Sequence, residues 1–190
     1  MLYMKNISTI GLLAAGLLGL TQGATLDAKP ADKVQSSQVS CRINFGSGQT
    51  KQYIDQKTMT VPDQHAVHDL RLGHTEQKIT DATPCLDQRI VKKNAYFMID
   101  NVDLDGSGSG YNIFETQKGD KVFVKTTAVG IRRPGDDFTS KVTVGLVTGG
   151  TGIFEGATGE YKSQGHDNRH SGSTMSISQT LLLNLKNKGA

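Results

Sequence analysis

Beyond residue 23, alternation of apolar and polar positions with a period of two dominates, and nowhere does the i, i+3, i+4, i+7 spacing of an amphipathic helix persist over three turns. Val39, Cys41, Ile43 and Phe45 alternate with Ser40, Arg42 and Asn44, which predicts a half-buried strand with Cys41 facing the core. Residues 52–61 predict a weaker second strand, since their apolar positions are sparse. Residues 95–102 (AYFMIDNV) begin apolar on both faces and predict a strand between two covering layers. Near the end, Met175, Ile177, Leu181, Leu183 and Leu185 share one face with Gln179, opposite Ser176, Ser178, Thr180 and Asn184. This is the longest strand signal in the chain.

Hairpins fill the middle. Segments 111–115 and 122–131 flank Thr116-Gln117-Lys118-Gly119-Asp120-Lys121, in which Gly119 supplies the positive φ of a short loop. Residues 141–148 (KVTVGLVT) run into a glycine cluster, and 159–163 follow. Segments 132–137 (RRPGDD) and 165–172 (GHDNRHSG) have the turn chemistry of polar connections. Short consecutive strands with such turns predict an antiparallel sandwich or barrel, and the short links favour an up-and-down β-barrel of about eight strands, whose closure removes exposed edges. The stretch 62–94 resists assignment: it mixes polar and apolar residues without a sustained period, and Pro84 interrupts any continuing element. A strand followed by a long loop carrying Cys85 is one reading.

The N-terminus has a different texture. Lys5 precedes an unbroken small and apolar run from Ile10 to Leu20, followed by Thr21, Gln22 and Gly23. That order is a charged start, an apolar stretch and a cleavage region, so a signal-peptide helix is expected over 1–23. A helical run of about 11 residues would cross only about half of a 30 Å hydrocarbon core, too short for a good anchor. No cysteine follows the cleavage region to accept a lipid. A flexible leader at 24–38 and a single β-barrel domain at 39–190 complete the expected organisation. The expected location is exported, periplasmic or secreted, with no integral membrane span in the mature chain.

Export changes how the two cysteines read. Cys41 and Cys85 are an even pair in an exported chain, so a disulfide is the default, and their spacing excludes a C-x-x-C redox motif. The alternative makes Cys41 a small core residue and Cys85 an unpaired loop thiol. Without Lys5 the chain has 20 basic and 18 acidic residues, in no long run of one sign. Tryptophan is absent and aromatics are few, so the clustered cations and stacking rings of a nucleic-acid groove are missing.

The most informative motif is 148–159, TGGTGIFEGATG. Gly149, Gly150, Gly152, Gly156 and Gly159 leave Phe154 as its only large side chain, which implies tight backbone turns around a plug at the barrel's end. A dinucleotide fingerprint needs different spacing and a following helix, and no Gly-Lys-Ser/Thr completes a P-loop. No cofactor is implied. The run Gly149-Gly150-Thr151-Gly152-x-Phe154-x-Gly156-Ala157-x-Gly159, preceded by KVTVGLV and by a hairpin with Gly119-Asp120, resembles the allene oxide cyclase and dirigent barrel superfamily, which also contains many small exported bacterial proteins without assigned activity. The resemblance spans about residues 109–185. It implies an eight-stranded antiparallel barrel with a cavity and carries over no catalytic residues.

Other constellations are weaker. Asn101, Asp103, Asp105 and Gly106 mimic the start of a calcium loop, yet position twelve is Asn112 and no helices flank it, so a solvated acidic hairpin loop is the preferred reading and a metal is not expected. His166 and His170, or His65 with Asp69, would share a strand face, but their polar neighbours read as exposed loops. Gly106-Ser-Gly-Ser-Gly110 is out of phase with a nucleophile elbow. Two functions remain. The favoured one is a non-enzymatic exported barrel that binds a small apolar or amphipathic ligand, or a partner, with oligomerisation allowed. The alternative is a cyclase- or isomerase-like or dirigent-like enzyme that orients a substrate in its cavity. A lining of Val, Ile, Leu, Phe and Met with no buried charge would favour binding, and a buried carboxylate or arginine facing the lumen with a displaced pKa would favour the enzyme.

Overall fold

The computed structural model describes residues 36–45, 49–64, 67–103, 105–168 and 173–186. The expected export signal and most of the leader lie outside the described residues. The described chain is all-β and antiparallel: β1 (Ser36–Phe45), β2 (Gln49–Thr50), β3 (Gln52–Thr60), β4 (His68–Lys78), β5 (Asp81–Ala82), β6 (Ile90–Val102), β7 (Asp105–Thr116), β8 (Lys121–Ile131), β9 (Phe138–Gly150), β10 (Thr158–Asn168) and β11 (Ser173–Lys186). A single 3-10 turn at Gly152–Phe154 links β9 to β10. No helix among the described residues is long and apolar enough to cross a membrane.

From β6 to β11 each strand pairs with the next, as short hairpin connections dictate. The first strand then pairs with the last, from Ser36 opposite Lys186 to Phe45 opposite Ile177. The ladder path runs β3-β4-β6-β7-β8-β9-β10-β11-β1-β5, with β2 attached to β11. This corrects the expectation of about eight strands in a closed barrel: there are eleven segments in one sheet, and the path ends at β3 and β5 instead of returning on itself. The sheet nevertheless curls until its inner faces meet, since Lys93 on β6 reaches Tyr161 on β10 and Gln179 on β11.

The stretch expected to be unreadable holds a full strand. Leu70 and Leu72 of β4 are only partly buried or exposed, whereas Asp69, Thr75 and Gln77 are buried. Its polar residues face inward, which inverts the pattern that marks a half-buried strand. Ile79 N–H then bonds to Val91 O at 2.8 Å, β5 pairs with Ile43 and Asn44 of β1, and Thr83 N–H donates to Arg42 O at 3.0 Å. Cys41 and Cys85 are joined in a disulfide at this point, closing a sequence separation of 44 residues. The two covering layers expected around 95–102 are also corrected. Tyr96 and Met98 are exposed, because the strand belongs to a single curled sheet with an open outer face.

The inner face differs between its two ends. At one end Ile90, Phe114, Val122, Val124, Phe154, Leu181 and Leu183 are buried. Each contributes about 1.5–3 kcal/mol relative to exposure. At the other end the inner positions of β7 and β8 are small, including Gly106, Gly108, Ala128 and Gly130, and a cavity takes the space.

Candidate functional site

The cavity has a volume of about 270 Å³. Its apolar wall comes from β6, with Ala95, Phe97 and Ile99 on the alternate positions that face inward. The same alternation places Lys93 on that face. β9 contributes Lys141 and Thr143, β7 Asn112, β4 Thr75 and Gln77, and β10 Asp167. Lys51, between β2 and β3, and Tyr53 on β3 complete the rim.

Lys93 sits where the cavity meets the core. Its Nζ donates to Gln179 Oε1 at 3.1 Å and to the Tyr161 hydroxyl oxygen at 3.5 Å, and it lies 5.7 and 5.8 Å from the ring centroids of Phe114 and Tyr161. Among the described residues no carboxylate forms an ion pair with it. Tyr161 O–H donates to the same Gln179 oxygen at 2.5 Å. Burial pulls Lys93 down to about 7, helped by the positive charges of Lys141 and Lys51 and opposed by Asp167. Burial also lowers Lys141 to about 8, again with Lys51 adding and Asp167 opposing. Tyr161 is pushed well above the ordinary phenol range by burial.

Among the described residues, the lumen is thus lined by three amines and one carboxylate. Asp167 Oδ2 lies 2.5 Å from Lys51 Nζ, so the pair at the rim is mutually neutralised. Gln77 is 5% exposed, and its Nε2 has no hydrogen-bond partner among the described residues. A buried amide donor left unpaired costs about 1–3 kcal/mol, which an acceptor atom placed in the cavity would recover.

No family model matches the chain, and no curated protein matches it. Among solved structures, it is similar to the pterocarpan synthase dirigent protein GePTS1. The TM-score is 0.44 at 9% identity, over 88% of this chain and 98% of that one.

The residues singled out in the sequence lie elsewhere. The glycine motif is at the filled end of the sheet and lines no part of the cavity. Phe154 is fully buried there. Thr151 clasps the next hairpin: its N–H donates to Lys121 O at 2.8 Å, and its Oγ1 accepts from Lys121 N–H at 3.0 Å. Gly152, at φ +60°, packs against the Asp120 carboxylate, which accepts from Gln88 Nε2 at 2.8 Å and from Ile153 N–H at 3.4 Å. Gly149 and Gly150 end β9, and Gly156 and Gly159 lead into β10.

Asp103, at φ +52°, sits in the β6–β7 turn, where its Oδ1 accepts from Val67 N–H at 3.1 Å. Asp105 pairs with Val102 as β7 begins, so the expected acidic hairpin loop shrinks to a turn and Ser107 to Gly110 are strand. Among the described residues no group of three or more His, Cys, Asp or Glu is arranged to hold a metal ion. His68 lies between Asp63 and Asp100, 2.9 Å from the latter, and the Asp63 hydrogen bond chiefly raises its pKa. His74 stacks on Tyr96 and His166 lies 3.2 Å from Ser140 Oγ, while His65 and His170 lie outside the described residues.

Sequence reasoning missed Lys51, Gln77, Lys93, Lys141 and Asp167. The readable signal was a lysine on the inward face of a strand: Lys93 shares the phase of Ala95, Phe97 and Ile99, and Lys141 that of Thr143 and Val147.

Proposed function

We propose that this is an exported protein whose curled β-sheet encloses a cavity that binds a small amphipathic organic anion. One observation carries the reading: three lysine amines and an unpaired amide donor line the lumen, against a single carboxylate already paired with Lys51. An anionic group placed beside Lys141 and Gln77 would favour the charged Lys141 and satisfy Gln77, while Phe97 and Ile99 cover an apolar body. The small apolar or amphipathic ligand expected from sequence is thereby narrowed to an amphipathic one with an acidic end.

Export is supported by the Cys41–Cys85 disulfide, a bond that persists in oxidising compartments.

The test compares two fluorescent probes of similar shape, anionic anilinonaphthalene sulfonate and neutral N-phenylnaphthylamine. At pH 6 the anion is expected to bind about tenfold more tightly, equivalent to about 1.4 kcal/mol, and Lys141→Met to remove most of that preference. Equal affinity for both probes would overturn the reading. The enzymatic alternative is favoured by one observation, two lumen amines titrating near neutrality. Conversion of a bound acid, followed by product analysis, would establish it.

A further inference from the structure

We propose that Lys93 captures carbonyl compounds, forming a reversible Schiff base with an aldehyde or ketone whose acidic end occupies the cavity. The inference rests on the cavity being a ligand site and adds a covalent step and a carbonyl substrate class.

The geometry begins with the surroundings of the amine. Two acceptor oxygens, on Gln179 and Tyr161, take N–H bonds from Lys93 Nζ on the core side. A neutral amine has two N–H bonds and one lone pair. With both N–H bonds turned to the core, the lone pair is left for the cavity side. Tyr161 is fixed by its own bond to Gln179, so the acceptors are held before any ligand arrives. Among the described residues the charged form gains no ion pair at this position, and it stays near two other amines. The titratable and charged groups around Lys93 are Lys141 on β9, Asp167 and Tyr161 on β10, and Lys51. Burial and these cations hold the amine near 7, so a large fraction is the nucleophilic free base at neutral pH, unlike an ordinary surface lysine near 10.4.

The step balances without an oxidant or reductant. Lys93 nitrogen attacks the carbonyl carbon, forming a C–N bond, and one proton passes from nitrogen to oxygen to give the carbinolamine. The C–O bond then breaks, and oxygen leaves as water with a proton donated by the Lys141 ammonium. The nitrogen's remaining proton returns to Lys141, leaving the neutral imine. Lys141, held at about 8, carries that proton at neutral pH and can release it. Tyr161 serves as a hydrogen-bond partner, because its raised pKa makes it a poor acid.

The experiment incubates the purified protein with 4-carboxybenzaldehyde and sodium cyanoborohydride at pH 7, followed by peptide mapping. The expected result is one reduced adduct per chain, at Lys93, saturable in aldehyde and suppressed by excess benzoate. Lys93→Arg keeps a cation at the site, forms no adduct there, and is checked for folding by its circular dichroism spectrum. Labelling spread over surface lysines, with no excess at Lys93, overturns the inference even if Lys93→Arg fails to fold, because the wild-type map decides it. The sulfonate probe separates the two proposals. No Lys93 adduct with probe binding intact overturns covalent capture alone, and absence of both adduct and probe binding overturns covalent capture together with the anion site.

Discussion

Lys51 Nζ lies 2.5 Å from Asp167 Oδ2, so the segment between β2 and β3 is tied to the far end of β10 across the rim of the cavity. The pair does two things. It holds the rim together, and it engages the carboxylate that lines the lumen, so that among the described residues no carboxylate lining the cavity is left for the deeper amines.

Asp167→Asn is accordingly expected to tighten anion binding. Removing the carboxylate frees Lys51 and deletes a repulsive charge within the cavity. The loss of Asp167 also lowers Lys93 and Lys141 further, so the gain is largest where both amines are still protonated. At pH 6 the affinity for anilinonaphthalene sulfonate should rise at least about threefold, measured by fluorescence titration. An unchanged or weaker affinity at that pH would contradict the charge assignment.

The pH dependence of stability follows from the same lysines. Their folded pKa values, about 7 and about 8, lie below the unfolded value near 10.4, so between these limits the unfolded chain binds more protons. Stability contributed by these groups therefore rises with pH from about 7 to about 10. Anion binding runs the opposite way and declines as pH rises through 7 and 8. His68 adds a separate trend: its raised pKa gives stability present below about 6.5 and lost as pH rises through the folded value. Urea denaturation of wild type and Lys93→Met from pH 6 to pH 9 separates them, and the variant should show the flatter rise above neutrality.

Two glycines with positive φ should respond differently to alanine. Gly152→Ala places a methyl group into the Asp120 carboxylate that joins Gln88 to the turn, and adds left-handed strain. A loss of about 2–4 kcal/mol is expected. Gly135→Ala, at φ +87° with no atom near its would-be Cβ, should lose only about 1 kcal/mol. Denaturant midpoints at constant slope measure both.

Reduction of Cys41–Cys85 should remove about 4 kcal/mol in the chain-entropy description of a loop of this length. The expected readout is a lower guanidinium midpoint in the presence of a phosphine reductant, reproduced by Cys41→Ala/Cys85→Ala without it.

Strands whose inner faces are apolar were readable in sequence. In β11 the period-two face of Ile177, Gln179, Leu181, Leu183 and Leu185 is buried throughout, and the Gly119 turn has its positive φ. β4 was not readable, because it turns Asp69, Thr75 and Gln77 inward and leaves Leu72 exposed. β7 was half hidden, since Gly106 and Gly108 give no hydropathy signal even though both line the cavity. The cavity escaped notice for a related reason. Its polar residues come from strands distant in sequence, and each alone reads as an interruption of an apolar face.

The pairing of β1 with β11 has a kinetic consequence. Cys41 and its opposite residue Leu181 are 140 positions apart, so the sheet cannot join its first strand to its last until nearly the whole chain is present. Loop-closure entropy makes such contacts late and slow. The Cys41–Cys85 bond, spanning a much shorter interval, can form earlier and hold β1 beside β5 while the remaining hairpins assemble in order. Synthesis and folding are thus separated in time, and β1 stays without its β11 partner until the last strand has been made.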